Sequence, residues 1–203
     1  MINTFTLKNP GDAGTFERRF LQHVAWMRQQ EGFAAHQAVR LTATAGIYVN
    51  VGWWARGEDF QQVLASATFQ EHAREFHRLV DVEAAPSLSV LRGDVPGDAP
   101  SALTVERLTL PDGTGTAPGF EAAYRAYAEA AARVDGFRHI DLTKSLTQNG
   151  VYTALVAWRD EQARERGENV PEYAALASLA RRHTEPAAPL AGDRAGQEAA
   201  DHA

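Results

Sequence analysis

Residues 48–60 of this chain read YVNVGWWARGEDF, and they set the pattern from which the rest of the fold is predicted. The first seven residues alternate as in a β-strand, so Val49 and Val51 share one face while Asn50 and Trp54 share the other. Gly52 lies between the amide and the indole and leaves space where a flat molecule can approach the backbone. We expect one apolar face and one ligand-binding face. The alternative is an asparagine hydrogen-bonded inside an ordinary core.

Length and composition favour a globular protein of two domains. The 203 residues suit two domains of about 100 residues each, and 44% of them are hydrophobic. The net charge of −6 argues against a nucleic-acid partner or an anionic membrane surface. The absence of cysteine excludes disulfides, thiolate metal ligands and a cysteine nucleophile. Neither a signal peptide nor an apolar run of about 18 residues occurs, so a cytoplasmic protein is expected.

The first half of the chain predicts a β-α-β-β-α-β order, as in ferredoxin-like domains. The strands, marked by alternation, are expected at 2–7, about 36–42, 48–54 and 87–91. Thr15 is expected to cap the first helix. Apolar residues at helical spacing predict the buried sides of the two helices: Phe16, Phe20, Val24 and Met27 in the first, and Phe69, Ala73, Phe76 and Val80 in the second.

The second half repeats the first. A constant offset of 104 residues matches the same points of helix, turn and strand, pairing Phe16 with Phe120, Glu17 with Glu121, Gly32 with Gly136, Phe33 with Phe137, Tyr48 with Tyr152 and Trp54 with Trp158. This indicates a tandem duplication. We expect a first domain at 1–93, a Pro/Gly/Asp linker at 94–101, a second domain at 102–185 and a flexible tail at 186–203.

The second copy has lost the polar residues of the first. Ala154 replaces Asn50, and Glu106 lies opposite Asn3 when the first strands are aligned. Its last helix is expected around residues 172–183, followed by Ala/Pro/Gly-rich sequence without a convincing fourth strand. We therefore predict that the second copy has no equivalent site.

Several stretches together resemble one known family. The run INTFTL, the helix ending in EGF, the strand YVNVGWW and the later SATFQEHAREF are similar to the antibiotic biosynthesis monooxygenase family over nearly all of 1–93, and more weakly over 102–185. The resemblance implies an α+β fold of two ferredoxin-like repeats forming an intramolecular dimeric α/β barrel. Val49, Val51 and Trp53 would then face the other copy. Whether whole chains also form a homodimer stays open.

Resemblance to the quinone-forming branch of that family implies an oxidation reaction. Its members oxidise an anthrone-type phenol with O₂ and without metal, flavin or haem, so the expected partners are a small aromatic molecule and O₂. In this chain the resemblance and the strand pattern make Asn50 a donor to the developing oxyanion. Trp54 is expected as a ring wall or an N–H donor, and Asn3 completes the polar group from the neighbouring strand.

Other residues are predicted to line the binding site. His23 is a candidate proton acceptor, against the alternative of a partly exposed histidine. Arg74 is expected at the rim, since it lies about 100° around the helix from Ala73. Phe60 stands where an aromatic hydroxyl can occur in the family. The predicted substrate-binding residues are Phe5, Phe20, His23, Met27, Gly52, Phe60, His72 and Arg74, and no metal site is expected.

Two alternatives remain at this point. One is a non-catalytic or stress-associated barrel protein that binds a small hydrophobic ligand. The other is the family's haem-degrading branch, which uses a pocket asparagine, a tryptophan and an axial histidine. Aligning the last helix puts Val63 at the tryptophan position and Ala73 at the histidine position, with His72 one residue away. That displacement argues against haem degradation.

Overall fold

A computed structural model describes residues 1–111 and 117–192 and separates into two compact units. Within the described residues, unit 1 contains 1–85 and 189–192, and unit 2 contains 86–188. Each unit has the β-α-β-β-α-β order of a ferredoxin-like half. Within the described residues, no helix is long and apolar enough to cross a membrane.

Unit 1 has four antiparallel strands in the order β4-β1-β3-β2. A short 3-10 helix at residues 10–12 precedes the first α-helix. The elements are β1 (Ile2–Leu7), α1 (Ala13–Met27), β2 (Phe33–Leu41), β3 (Ile47–Trp54), α2 (Gly57–Ala65), α3 (Ala67–Leu79) and β4 (Val80–Ala85).

Unit 2 has five strands in the order β9-β6-β8-β7-β5. Its elements are β5 (Ser87–Asp94), β6 (Ala102–Thr109), α4 (Ala117–Ala131), β7 (Phe137–Ser145), β8 (Val151–Trp158), α5 (Glu161–Glu168), α6 (Pro171–Leu176) and β9 (Arg181–Gly192). Residues 189–192 of β9 belong to unit 1, where Ala191 is buried in the core.

The helix α1 buries the apolar stripe predicted for it: Phe16, Phe20, Val24 and Met27. It begins earlier than expected, at Ala13, so Thr15 is not its cap. The Asn9 side chain accepts a hydrogen bond from Gly11 N and starts the 3-10 turn, which runs directly into α1. The second helical segment is broken at Ser66, whose hydroxyl accepts from Phe69 N and caps α3.

The duplication is visible in matched interactions within the two units. The Tyr48 hydroxyl donates to Glu17 Oε1 at 2.8 Å, and the Tyr152 hydroxyl donates to Glu121 Oε1 at the same 2.8 Å. The turns that precede β2 and β7 need a left-handed backbone, which glycine adopts without strain. Gly32 supplies it with φ 77° and Gly136 with φ 94°.

Three predictions about the ends of the two copies are wrong. Residues 87–91 were expected to form the last strand of the first sheet, but they lie in β5, which pairs with β7. The last strand of the first sheet is instead β4, which pairs with β1. Val80, expected at the end of a helix, is the first residue of β4, because its extended backbone pairs with Leu7. The second copy does have its last repeat strand, β9, which pairs with β6 and begins where the expected helix was to continue.

The tail expected at 186–203 is therefore partly strand. Its residues 186–192 lie in β9, and 193–203 lie outside the described residues. The prolines at 186 and 189 predict that this segment is not a strand, because proline has no N–H to donate to a neighbouring strand. The pairing with β6 nonetheless holds this segment extended, with Pro186 opposite Thr104.

Candidate active site

A cavity of about 300 Å³ lies in unit 1, between the sheet and the helices α1, α2 and α3. This volume is at the lower end of the range typical for small-molecule pockets, about 300–1,000 Å³. Its wall is mostly apolar and aromatic. Nine residues predicted from the sequence line it: Asn3, Phe5, Phe20, His23, Met27, Asn50, Gly52, Trp54 and Phe60.

Two N–H donors flank an open space above Gly52. A Cβ atom placed on Gly52 would lie 3.8 Å from Trp54 Nε1, 4.0 Å from Asn50 Nδ2 and 4.0 Å from the Met1 carbonyl oxygen. The alternation of β3 puts all three residues on the cavity face, and the missing side chain of Gly52 leaves the space between the donors unfilled. An oxygen atom of a ligand placed there is within reach of both donors. We call this space the Gly52 notch.

The orientation of the Asn50 amide follows from a chain of hydrogen bonds behind it. Arg28 Nη2 lies 3.3 Å from His36 Nε2, and His36 Nδ1 lies 3.4 Å from Asn50 Oδ1. Because a guanidinium only donates, His36 Nε2 is the acceptor and the ring proton is on Nδ1. His36 therefore donates to the Asn50 oxygen, which leaves the NH₂ group directed to the Gly52 notch.

Asn3 lies directly opposite Asn50 in the β1–β3 ladder and also lines the cavity. Among the described residues, the Asn3 amide, Asn50 Nδ2 and Trp54 Nε1 have no hydrogen-bond partner in the protein. All three side chains are partly exposed, and an apolar ligand that displaced water from them would leave each polar group unpaired at a cost of about 1–3 kcal/mol. Three unpaired polar groups in one apolar cavity are therefore the property that most favours a ligand with polar atoms.

Aromatic neighbours hold the Trp54 ring. The Phe33 ring lies 5.3 Å away at 85°, and the Phe60 ring lies 5.2 Å away at 49°. These edge-to-face and tilted contacts are favourable geometries for aromatic pairs. They fix the indole so that its N–H stays beside the Gly52 notch.

His23 lies at the junction of the cavity and a shallow groove on the outside of α1 and α3. Its Nδ1 is 2.9 Å from His72 Nδ1. Burial, and secondarily the neighbouring His72 ring, lower the pKa of His23 to about 4, so the imidazole is neutral at pH 7.

Two residues predicted to bind substrate lie outside the cavity wall. Arg74 is exposed, because its neighbour Ala73 occupies the position on α3 that faces the cavity. His72 lines the outer groove and reaches the cavity only through its contact with His23. At the position where the haem-degrading branch needs its axial histidine, Ala73 contributes a methyl group.

His36 and Arg28 were not predicted as site residues. His36 is 1% exposed, and the β2–β3 register places it opposite Gly52. The sequence could have predicted this pairing, since the short turn between the two strands fixes their antiparallel register and the partner of each residue can be counted from the turn. Arg28 follows the end of α1 and gave no comparable pattern.

Large side chains occupy the equivalent positions in unit 2. Tyr124, Tyr127 and Trp158 are each no more than 1% exposed and stand where unit 1 has Phe20, His23 and Trp54. The Tyr173 hydroxyl donates to Glu106 Oε1 at 3.0 Å, and burial raises the pKa of Glu106. Within the described ranges, no group of three or more His, Cys, Asp or Glu is placed to hold a metal ion.

Comparisons with known proteins agree with this architecture. A crystal structure of a putative monooxygenase from Lactobacillus acidophilus has a TM-score of 0.77 at 10% identity, over 96% of this chain and 95% of that one. A putative monooxygenase from Fusobacterium nucleatum has a TM-score of 0.79 at 8% identity, over 97% and 94%. An anthrone oxidase-like protein has a TM-score of 0.66 at 15% identity, over 97% and 93%. At these identities the likeness concerns the fold alone.

A search of functionally curated proteins gave no significant match. The family model for antibiotic biosynthesis monooxygenases matches residues 1–78 and 114–178, one segment in each copy. Together the two segments cover more than half of the sequence, at the positions of the two ferredoxin-like halves. The chain belongs to the antibiotic biosynthesis monooxygenase family.

Proposed function

We infer that this protein is a monooxygenase that oxidises an anthrone-type or quinol-type aromatic substrate with O₂ in the unit 1 cavity. The observation that carries the proposal is the set of three unpaired polar groups, from Asn3, Asn50 and Trp54, in an otherwise apolar and aromatic wall. A flat phenolic molecule combines the apolar rings and the few oxygens that such a wall can bind. One structurally similar protein is named anthrone oxidase-like, which agrees with this substrate class.

The Gly52 notch is the proposed oxyanion position. When an anthrone loses a C–H proton, its carbonyl oxygen gains negative charge as the enolate forms. Asn50 Nδ2 and Trp54 Nε1, which flank the notch, donate to that oxygen. Donors fixed in advance are most effective where the charge develops, and removing one such donor typically lowers turnover by about 10²–10³-fold.

The reaction balances with O₂ as the only co-reactant. The enolate reacts with O₂ and a proton to give a hydroperoxide at the same carbon. Loss of the second C–H proton and of hydroxide then gives the quinone carbonyl and one water molecule. The CH₂ carbon loses four electrons and O₂ accepts four. In this proposal the substrate supplies the electrons, and the protein supplies orientation, a dry wall and hydrogen bonds.

Oxygen uptake tests the proposal. Purified, chelator-treated protein is given anthrone, and isotopically labelled O₂ is followed into the quinone. We expect uptake above the uncatalysed rate, one labelled oxygen in the quinone, and a loss of about 10²-fold or more in Asn50→Ala and in Trp54→Ala. His183→Gln, an exposed change in unit 2, is the control.

The non-catalytic alternative gives a different result. A binding protein would take up anthrone, with quenching of tryptophan fluorescence, but would consume no O₂ above the uncatalysed rate. In that case Asn50→Ala and Trp54→Ala would change only the affinity for anthrone. Binding without turnover would therefore overturn the proposed monooxygenase activity.

A further inference from the structure

The two histidines beside the cavity are placed to move a proton. His23 lines both the cavity and the outer groove, whereas His72 lines the groove alone. Their Nδ1 atoms are 2.9 Å apart, and the rings are nearly perpendicular at 84°. The pair therefore forms a continuous nitrogen-to-nitrogen contact from the cavity wall to the groove.

The contact between the two Nδ1 atoms allows two proton arrangements, in which either histidine is the donor. Between two Nδ1 atoms one nitrogen must carry the proton and the other must accept it. If His23 donates to His72, then His23 Nε2 has an unprotonated lone pair on the other side of its ring. Among the described residues His23 Nε2 has no hydrogen-bond partner, so this lone pair is not used within the protein.

The surroundings keep the pair in position and His23 neutral. The His23 ring packs against Trp26 at 5.7 Å, Phe69 at 5.7 Å and Phe76 at 5.3 Å. The charged groups of the groove, Arg19 on α1 and Glu75 on α3, are paired with each other at 2.6 Å. On the cavity side the other titratable side chains are His36 and His77.

We propose that His23 is the proton acceptor of the reaction and that His72 is the positioning and relay residue that carries the proton between His23 and the outer groove. The proposal rests on the function inferred above, because it assigns the base of the same site. It is confined to unit 1, since Tyr127 and Leu176 stand at the two equivalent positions of unit 2.

Each proton transfer has a defined donor and acceptor. His23 Nε2 takes the proton from the C–H bond of the substrate, whose electron pair stays on the substrate as the enolate. His23 Nδ1–H passes its proton to His72 Nδ1, so the positive charge moves from the aromatic enclosure to the groove. The proton returns by the same path to the peroxide oxygen after O₂ has added. Both rings are then neutral in their starting tautomers.

The low pKa of His23 agrees with this assignment. Burial and the adjacent His72 ring hold the pKa of His23 near 4, so His23 is unprotonated at neutral pH and does not retain a proton well. Burial disfavours the charged imidazolium, so passing the proton onward keeps that charge out of the desolvated site. His72 provides that outlet.

The first test is independent of turnover. Histidine ¹⁵N spectra of the full chain at pH 7 are expected to show His23 protonated at Nδ1 and unprotonated at Nε2. The His23 spectrum is expected to change in His72→Leu, which introduces the residue found at the equivalent position of unit 2. A proton on His23 Nε2 at pH 7 would overturn the proposal, whatever the protein does with anthrone.

The second test measures turnover. With anthrone and O₂ we expect His23→Leu to lower kcat by about 10²–10⁴-fold. We expect His72→Leu to lower kcat by about tenfold or more with little change in KM, and added imidazole to restore part of it. A purely structural role for His72 would not give rescue by imidazole. His183→Gln controls for the loss of a histidine.

The two failures can be distinguished. If the wild-type protein does not oxidise anthrone, the proposed function fails, and the ¹⁵N spectra alone decide whether the histidine pair has the predicted proton arrangement. If the wild type oxidises anthrone but His72→Leu keeps the full kcat, the relay is overturned and the proposed function stands.

Discussion

Phe16 and Phe120 pack on Tyr48 and Tyr152 in the same way, with centroid distances of 4.8 Å and interplanar angles of 51° in both units. A few residues away the two units differ. Trp54 is only partly buried and borders the cavity, whereas Trp158 is 1% exposed and packed within the core. The same strand and helix packing thus surrounds a cavity in unit 1 and a filled core in unit 2.

One residue difference explains how Trp158 reaches its buried position. A Cβ atom on Gly167 would lie only 2.0 Å from Trp158 Cη2, so the indole lies directly on the bare backbone of α5. The equivalent residue of unit 1 is Val63, which is itself buried. A valine side chain there prevents Trp54 from lying against α2 in the same way. A small residue beneath the tryptophan therefore lets one copy fill its core.

The largest expected difference between the units is in stability. Trp158→Ala removes a fully buried indole and is expected to lower the free energy of unfolding by about 3–5 kcal/mol. Trp54→Ala removes a ring that already borders a cavity, and we expect less than half that cost. Denaturant unfolding of both variants measures the difference. Equal losses would contradict the contrast between a filled and a hollow half.

Gly167→Ala is expected to have the next largest effect. The new methyl group overlaps the Trp158 ring, which must move, at a cost of about 1–3 kcal/mol in unfolding free energy. The matched control is Gly57→Ala at the start of α2, where an added Cβ meets nothing within 4 Å. Urea midpoints of the two variants compare the costs. If Gly167→Ala is as stable as Gly57→Ala, Trp158 does not depend on this glycine.

His36→Phe is expected to lower the activity of the unit 1 site. It removes the donor to Asn50 Oδ1 and frees the amide to turn away from the Gly52 notch. One hydrogen bond of about 0.5–1.5 kcal/mol corresponds to a loss of up to about tenfold in turnover of anthrone. His139→Phe, a buried histidine of unit 2, is the control and should leave turnover unchanged. Undiminished turnover in His36→Phe would show that Asn50 is oriented by other contacts.

The smallest expected effect is in the pH dependence of stability. The pKa of His23 is about 4 in the folded protein and about 6.5 when unfolded, so between these values the unfolded chain binds more protons. Stability contributed by neutral His23 is therefore present above pH 6.5 and falls as the pH drops towards 4. Partial exposure limits the effect to about 1 kcal/mol.

His23→Gln should remove this part of the pH dependence. Unfolding free energies of the wild type and the variant, measured at pH 4.5 and pH 7, give the difference directly. We expect the variant to lose less stability than the wild type on acidification. A larger loss in the variant would show that His23 is protonated in the folded protein at pH 4.5.

Alternation and helical spacing were sufficient to predict most of this architecture and the residues that meet at the cavity. Asn3, Asn50 and Trp54 could be placed on one face because the side-chain period of a strand is fixed. The strands β4 and β9 were mispredicted because partner strands decide whether such segments extend, and alanine and proline gave weak local signals. His36 was missed because its role depends on atoms from Arg28 and Asn50 that meet only in the folded chain.

The most direct measurement is oxygen uptake by Gly52→Ala with anthrone, beside Gly57→Ala. An added methyl on Gly52 has only ordinary contacts, at 3.8 Å and beyond, so the fold should keep its stability. The methyl would nevertheless occupy the space between Asn50 Nδ2 and Trp54 Nε1. We predict a folded protein with turnover lowered by about 10²-fold, while Gly57→Ala turns over as the wild type. Wild-type turnover in Gly52→Ala would contradict the assignment of the Gly52 notch as the site where the substrate oxygen binds.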